Sequence, residues 1–395
     1  MSARRILILI AAVGVVHNGL RFLASAAGAP WGLVNYLHPF HPKLDKPALI
    51  EIAVALLVMG IALIIAWKQW ERPSDPNSGP KPVLSILLWS MTTAAIGSLF
   101  AVMVSASADR SYGWVMFALV PFSTGFHATF LLSRKMRITL GNAFSVSALS
   151  ATLLAGLLIA TAVEGFICII MAAPLAIVLA MLGGFMGWLV AGTERAKSSV
   201  TFLLFVGLMP LGSTVERALE PPPSLFQVTT SIDLPASPER VWQTVLEPAT
   251  LAAPTQPLLR AGVGYPQASH IEGAGASAIR YCDFSTGKLV EPVLIWNEPR
   301  QLRFTVASSP IPMQEWTPYA HLHPPHLDGF LITRQGEFRL TPLANGGTHL
   351  EATTWYQHHL WPEQYWRWWS DYIIHGIHQM VLTNIRDRAT EPGPQ

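Results

Sequence analysis

The sequence predicts an N-terminal all-α transmembrane bundle followed by an α+β domain, in which a curved antiparallel sheet wraps a long C-terminal helix. Three observations lead there. Charged residues make up only 13% of the 395-residue chain, about half the usual share in soluble proteins, and the first half carries most of the long uncharged runs. Strand-like sequence then runs from Phe226 to His358. Last comes Pro362–Arg388, uninterrupted by proline until Pro392. At about 100° per residue, Trp366, Trp369, Ile373, Ile377, Met380 and Val381 share one stripe, with Ile374 and Ile385 at its edge. Such a stripe over roughly seven helical turns needs a broad apolar partner, and the preceding strands supply it.

Residues 1–216 read as a multi-span membrane domain of about seven helices. Arg110 and Arg134 enclose 23 uncharged residues, Arg137 and Glu164 enclose 26, and Glu164 and Glu194 enclose 29. Val83–Ala108 carries no charge, and Ala48–Trp67 is interrupted only by Glu51. Ile6–Leu20 is short and holds His17 and Asn18, while Ser198–Val215 contains Pro210 and Gly212. Arg4/Arg5, Lys68/Arg72/Lys81, Arg134/Lys135/Arg137 and Arg195/Lys197 fall on one side and outweigh Arg21/Lys43/Lys46 and Arg110. That bias places the N-terminus in the cytoplasm of a multi-pass inner-membrane protein. An odd number of spans then puts the C-terminal domain outside, provided Ser198–Val215 crosses; otherwise the domain is cytoplasmic. Ala24-Ser25-Ala26 offers a signal-peptidase site, but Arg21 beside it favours an uncleaved span.

Within the spans, Glu164 is expected at a solvated helix end, and His127 and His17 as interhelical hydrogen-bonders. Gly183, Gly184 and Gly187 suit close helix packing, and Pro174 suits a kink. No paired acids lie mid-span and no inverted repeat is visible, so transport has no positive support.

Glu220-Pro221-Pro222-Pro223-Ser224 ends a stiff linker over 217–224. Residues 225–390 form the second domain and 391–395 a tail. Residues 1–224 hold 15 Lys/Arg against 9 Asp/Glu, and residues 225–395 hold 11 against 15. A net-negative soluble half argues against a nucleic-acid partner. The two cysteines, Cys168 and Cys282, do not indicate a disulfide framework.

The second domain opens with Phe226, Val228, Thr230, Ile232 and Leu234 alternating with polar residues, a half-buried strand. Ser237 is an N-cap with Pro238 at the first helical position, opening a helix to Leu246. Glu247–Gly264 is broken by proline and glycine. Strands are expected over Ser277–Phe284, Lys288–Trp296 and Gln301–Ala307, separated by turns at Ser285-Thr286-Gly287 and Asn297-Glu298-Pro299. An irregular insert runs from Ser308 to Asp328, and Phe330–Pro342 and His349–His358 flank a hairpin at Asn345-Gly346-Gly347.

These residues carry a resemblance. Leu234-Pro-Ala-Ser-Pro-Glu-Arg-Val-Trp242 resembles the opening of START-like domains, the SRPBCC superfamily of polyketide cyclase/dehydrase and lipid-transport proteins. The run from Glu291 through Trp296-Asn297-Glu298-Pro299 to Phe304 is similar to its middle strands. Gly336–Leu340, Gly346-Gly347-Thr348 and Thr353–Tyr356 resemble its last hairpin. Leu251-Ala-Ala-Pro254 departs from it, standing where an aromatic is common. The resemblance covers about residues 226–390. It implies a helix-grip fold with an apolar cavity between sheet and long helix, toward which Cys282, Phe304, Phe338, Leu340, Leu350, Thr354, Tyr356, Trp369 and Ile373 would point. Plain core filling uses the same residue types.

Two histidine clusters also call for weighing. His321, His323 and His326 lie in six residues, a density found at metal sites, yet Pro324-Pro325 stiffens the loop and only Asp328 adjoins. A solvated or ligand-gating loop is the plainer reading, and no metal is assigned. Asp371, His375 and His378 share a face of the long helix. That face lies opposite the apolar stripe, so it should dock on another part of the protein rather than line the cavity. Arg334, Glu337 and Arg339 read as cross-strand charge partners of Glu351. No nucleophile elbow, phosphate loop or zinc-protease helix appears, so no catalytic residue and no cofactor are assigned.

The resemblance implies membrane-anchored binding or transfer of a hydrophobic ligand, a lipid or terpenoid. The partners expected are the bilayer, an apolar small molecule and no nucleic acid, with room for a membrane partner protein. Two alternatives stand beside it: a cyclase/dehydrase-type enzyme using polar groups such as Tyr356 or Arg280, and a non-catalytic accessory protein.

Overall fold

The computed structural model describes residues 83–109, 112–161, 163–192, 222–315, 324–329 and 331–391, besides a few isolated positions. The expected spans Ile6–Leu20, Ala48–Trp67 and nearly all of Ser198–Val215 lie outside the described residues, as do His17, His321 and His323. Two compact units form: Met1–Glu220 with Thr317–Pro325, and Pro221–Trp316 with His326–Gln395.

In the first unit the described helices are α1 (Val83–Asp109), α2 (Val120–Ser133), α3 (Leu140–Ala160) and α4 (Phe166–Ala191), with a π-helical turn at Val115–Leu119 leading into α2. Among the described residues, three helical stretches are long and apolar enough to cross a membrane: Val115–Ser133, Leu140–Ala160 and Phe166–Ala191. Small residues let α2 and α4 touch backbone to backbone. A Cβ at Gly183 would run into the Phe122 carbonyl, and one at Gly125 into that of Ala180, as close helix packing requires. Hydroxyl pairs stitch the helices together, Thr124 to Ser98 at 2.7 Å and Thr129 to Ser147 at 2.9 Å.

One expectation needs correcting here. Glu164 is buried rather than solvated, because it sits in the short connection between α3 and α4 and accepts from the Tyr112 hydroxyl at 2.9 Å. His127 Nδ1 bonds the Ser123 carbonyl one turn back in its own helix at 2.8 Å. Ile170, Val178, Leu182, Met186 and Leu189 of α4 remain exposed.

The second unit is one eight-stranded antiparallel sheet curled round a helix. Its strands are β1 (Phe226–Leu234), β2 (Ala249–Thr250), β3 (Pro266–Glu272), β4 (Ile279–Phe284), β5 (Gly287–Asn297), β6 (Gln301–Thr305), β7 (Leu331–Pro342) and β8 (Thr348–His358). Their order is β1-β8-β7-β6-β5-β4-β3-β2. The first strand therefore pairs with the last, and the long α7 (Glu363–Thr390) returns across the concave face. Helices α5 (Pro238–Leu246) and α6 (Pro257–Ala261) fill the connection between β1 and β3. Ser237 caps α5 by accepting from the Arg240 N–H.

Alternation on β1 places Phe226, Val228 and Leu234 in the core, as the pattern requires. The main core joins Val241 and Trp242 of α5 to Leu302, Leu340 and Leu350 of the sheet and Leu382 and Ile385 of α7. Trp242 meets Trp296 edge to face at 5.6 Å.

Strands β2 and β3 escape the sequence reading. They form the outer edge of the sheet, and Pro-Gln-Ala-Ser-His-Ile-Glu offers no apolar alternation because both faces are largely wet. Part of the irregular insert is also pinned: Ser308 bridges to Val290 and Met313 to Val263.

The buried face of α7 is wider than the expected stripe, of which Trp366 is buried and Ile373, Ile377 and Val381 face the space between helix and sheet. Its buried line runs through Trp366, Ser370, Ile373, Ile374, His378, Leu382, Ile385 and Ala389. That line continues past the edge of the expected stripe, beyond Ile374 and Ile385. Met380, Val381 and Trp369 are only half-buried. The cause is polar. Thr230, Thr354 and Tyr356 on β1 and β8 supply hydrogen bonds to His378 and Asp371, so the side of α7 that reads as hydrophilic also packs on the sheet.

Candidate functional site: a cavity with one polar pole

Between the sheet and α7 lies a cavity of about 180 Å³. Strand alternation builds one wall. Counting back from the tight turn at Phe284–Gly287, the register pairs Cys282 with Leu289 and Arg280 with Glu291, all on the inward face. Phe304 and Phe338 come from β6 and β7, and Ile373, Ile377 and Val381 from α7. A proline-rich strap, Ser309–Met313, closes another side. Two backbone bonds hold that strap, Gly264 N–H to Pro312 O at 2.9 Å and Gln314 N–H to Gly262 O at 2.8 Å.

Of the residues expected at the cavity, Cys282, Phe304, Phe338, Thr354 and Ile373 line it. Leu340 and Leu350 belong to the packed core below. Tyr356 sits in a separate cluster with Phe226, Val228 and Ile374. Trp369 is half-buried on α7 and is not part of the wall.

The polar pole is the Arg280–Glu291 ion pair. Both side chains are more than nine-tenths buried, and Arg280 Nη1 bonds Glu291 Oε2. The guanidinium carbon lies 5.1 Å from the Phe304 ring centre and 5.7 Å from that of Phe338, within cation–π range. Burial alone would lower the Arg280 pKa, but the Glu291 carboxylate and the Cys282 sulfur outweigh it and hold it above the ordinary value. Burial pushes the Glu291 carboxyl up, and Arg280 opposes that shift. Burial also raises the Cys282 thiol to about 11, so it is neutral near pH 7.

His378 lies in the cavity wall, contrary to its expected place on an outward face. Its Nδ1 meets Thr230 Oγ1 at 3.0 Å and its Nε2 meets Thr354 Oγ1 at 2.8 Å. Burial, and secondarily His375, lower its pKa to about 4. The imidazole is therefore neutral near pH 7, with both nitrogens engaged. Next on the same helix face, Asp371 accepts from the Tyr356 hydroxyl at 2.6 Å and pairs with Arg367 at 3.3 Å. Burial and Asp371 hold the Tyr356 phenol well above its ordinary range. Asp371 and His378 thus dock on β8 and β1, not on a separate part of the protein. Glu337 takes Arg303 and Arg339 as partners, and the register sets Arg339 opposite Glu351.

Sequence reasoning missed Glu291, and it set His378 on a face turned away from the cavity. Glu291 was legible in principle: an acid at an inward strand position, facing an inward arginine across a short turn, is a buried pair waiting to be counted. The place of His378 was not, because its sheet partners Thr230 and Thr354 become known only with the fold.

Gly336 shapes the pole. It lies opposite Phe304 in the β6–β7 register, and a Cβ there would be driven into the Phe304 ring. Gly336→Ala is expected to cost about 1–3 kcal/mol of stability through overpacking, read as a lower denaturant midpoint at an unchanged slope. An unchanged midpoint would show that the ring moves aside freely.

No protein-family model and no curated protein matches the sequence. Solved structures do show likeness. A protein from Chromobacterium violaceum matches at 16% identity and TM-score 0.26, over 42% of this chain and 98% of that one. Norcoclaurine synthase from Thalictrum flavum, in complex with dopamine and hydroxybenzaldehyde, matches at 11% and 0.29, over 44% and 91%. The Aha1 dimer from Colwellia psychrerythraea matches at 16% and 0.25, over 43% and 99%. At such scores none of them bears on activity or ligand. The strand order and the returning helix themselves define the second unit as a helix-grip fold, a curled antiparallel half-barrel closed by its C-terminal helix.

Proposed function

We propose that this chain is a membrane-anchored binding protein whose helix-grip unit takes up a small hydrophobic molecule. The cavity between the sheet and α7 carries this reading. Its size narrows the ligand. An engineered protein cavity of about 150 Å³ holds one benzene, and drug-sized ligands occupy roughly 300–1,000 Å³. At about 180 Å³ the cavity suits a single ring or a short branched chain, and a whole diacyl lipid would need it to open.

Anchoring is supported by the three membrane-length apolar helices and by the exposed aliphatic residues of α4, which suit acyl chains better than water. Tethering a binder to the phase into which its ligand partitions raises the local ligand concentration. The enzyme alternative keeps Arg280, which lines the wall, but loses Tyr356, which lies outside it, and both His378 nitrogens are engaged by threonines.

The test is native mass spectrometry on the full chain in nanodiscs, with solvent extraction of bound small molecules. The expected result is one hydrophobic molecule per chain, or stoichiometric uptake of a small apolar probe. A chain that arrives empty and takes up no probe would end the binding reading and favour an accessory role.

A further inference from the structure

The chemistry of the cavity wall narrows the ligand further, on the footing of the binding reading above. The wall is aliphatic or aromatic nearly everywhere, through Leu289, Met313, Ile373, Ile377 and Val381. Apart from Glu337, whose carboxylate is held by Arg303 and Arg339, its charge is gathered at one place, where Arg280 and Glu291 face each other across β4 and β5. That pair carries no net charge. Cys282 and His378, the titratable groups beside it in the wall, are neutral near pH 7.

Three ligand chemistries meet this pole differently. A carboxylate or ammonium would bring an uncompensated charge into a neutral, apolar space, and one half of the pair would repel it. A pure hydrocarbon would cover the pair with surface that cannot hydrogen-bond. A guanidinium has five N–H donors and a carboxylate about four lone-pair sites, so groups would be left unmet. A hydroxyl is both donor and acceptor. It can accept from Arg280 and donate to Glu291 while its ring or chain fills the apolar remainder. We propose that the cavity selects a neutral hydrophobic molecule of about one ring that bears a single hydroxyl, such as a phenol or a monocyclic alcohol, with its oxygen beside the Arg280–Glu291 pair.

The experiment is isothermal titration calorimetry of the full chain in nanodiscs, with empty-disc blanks to remove partitioning. Three ligands of one shape are compared: toluene, 4-methylphenol and 4-methylbenzoate. The expected result is that 4-methylphenol binds at least about ten-fold tighter than either of the others, since each hydrogen bond to a charged group typically gives that much. The double variant Arg280→Met/Glu291→Leu is expected to bring 4-methylphenol and toluene together. A preference for toluene or 4-methylbenzoate in the wild-type chain overturns the inference and leaves the binding reading standing. So does a 4-methylphenol preference that survives the double variant. Absence of binding by all three, with no uptake of any apolar probe, overturns both. If the double variant does not fold, the wild-type series decides alone.

Discussion

Arg280→Met is expected to destabilise the second unit by about 3–5 kcal/mol, the cost of leaving a buried charge without its partner. The partner is Glu291, 3% exposed and bonded to the guanidinium. Removing Arg280 leaves the buried Glu291 carboxyl in a largely apolar wall, where it must either hold an unpaired charge or take up a proton. Glu291→Leu leaves the mirror-image defect and is expected to cost a similar amount. The double variant Arg280→Met/Glu291→Leu removes both charges and fills the space with side chains of comparable volume. It is expected to recover most or all of the loss, since replacing a whole buried pair by packed apolar groups is often neutral or stabilising. Denaturant unfolding of the four proteins checks this as a double-mutant cycle. Additive losses, with the double variant worst, would mean that the two side chains do not act as a unit. The outcome matters beyond stability. A pair that is dispensable in the double variant is one the fold does not need.

The sheet and the long helix were legible because their signals are periodic. Phe226 to Leu234 alternates cleanly, Ser237-Pro238 is a capping signal, and Gly346 supplies the left-handed turn between β7 and β8. Strand β3 was not legible, since an edge strand buries little and so carries no apolar alternation. The full width of the buried face of α7 was missed for a related reason. Apolar side chains alone set the expected stripe, whereas the helix is also held by hydroxyl and carboxylate contacts through His378 and Asp371. Those contacts bury polar residues that sequence patterning assigns to water. The site split the same way. Its aromatic wall, Phe304 and Phe338, followed from alternation, while the Arg280–Glu291 pair needed the β4–β5 register before two separate charges became one neutral pole. Leu340 and Tyr356 show the limit from the other side: an inward-facing residue fills core or lines a cavity according to how far α7 stands off the sheet at that level.

That same helix sets an acid limit on stability. His378 is buried against Thr230 and Thr354, and its pKa falls from the model-peptide value near 6.5 to about 4. The folded state therefore refuses a proton that the unfolded chain accepts. Above pH 6.5 neither state carries it, and the His378 contribution is complete. Between pH 6.5 and 4 the unfolded state binds more protons, so stability falls as the pH falls; below 4 both states are charged and the loss levels off. The shift corresponds to about 3 kcal/mol across that window. His358, buried beside Phe226 and Tyr356, is also lowered and adds in the same sense. Replacing His378 with a side chain that keeps a hydrogen bond without titrating separates its share. His378→Gln is expected to cost stability at pH 7.5, where the native imidazole fits Thr354 best, and to flatten the stability curve between pH 6.5 and 4. Urea unfolding of both proteins at half-unit steps of pH measures this directly. Parallel curves, with the same acid slope in the variant, would place the proton elsewhere and would mean that the wall of the cavity beside α7 admits water to His378.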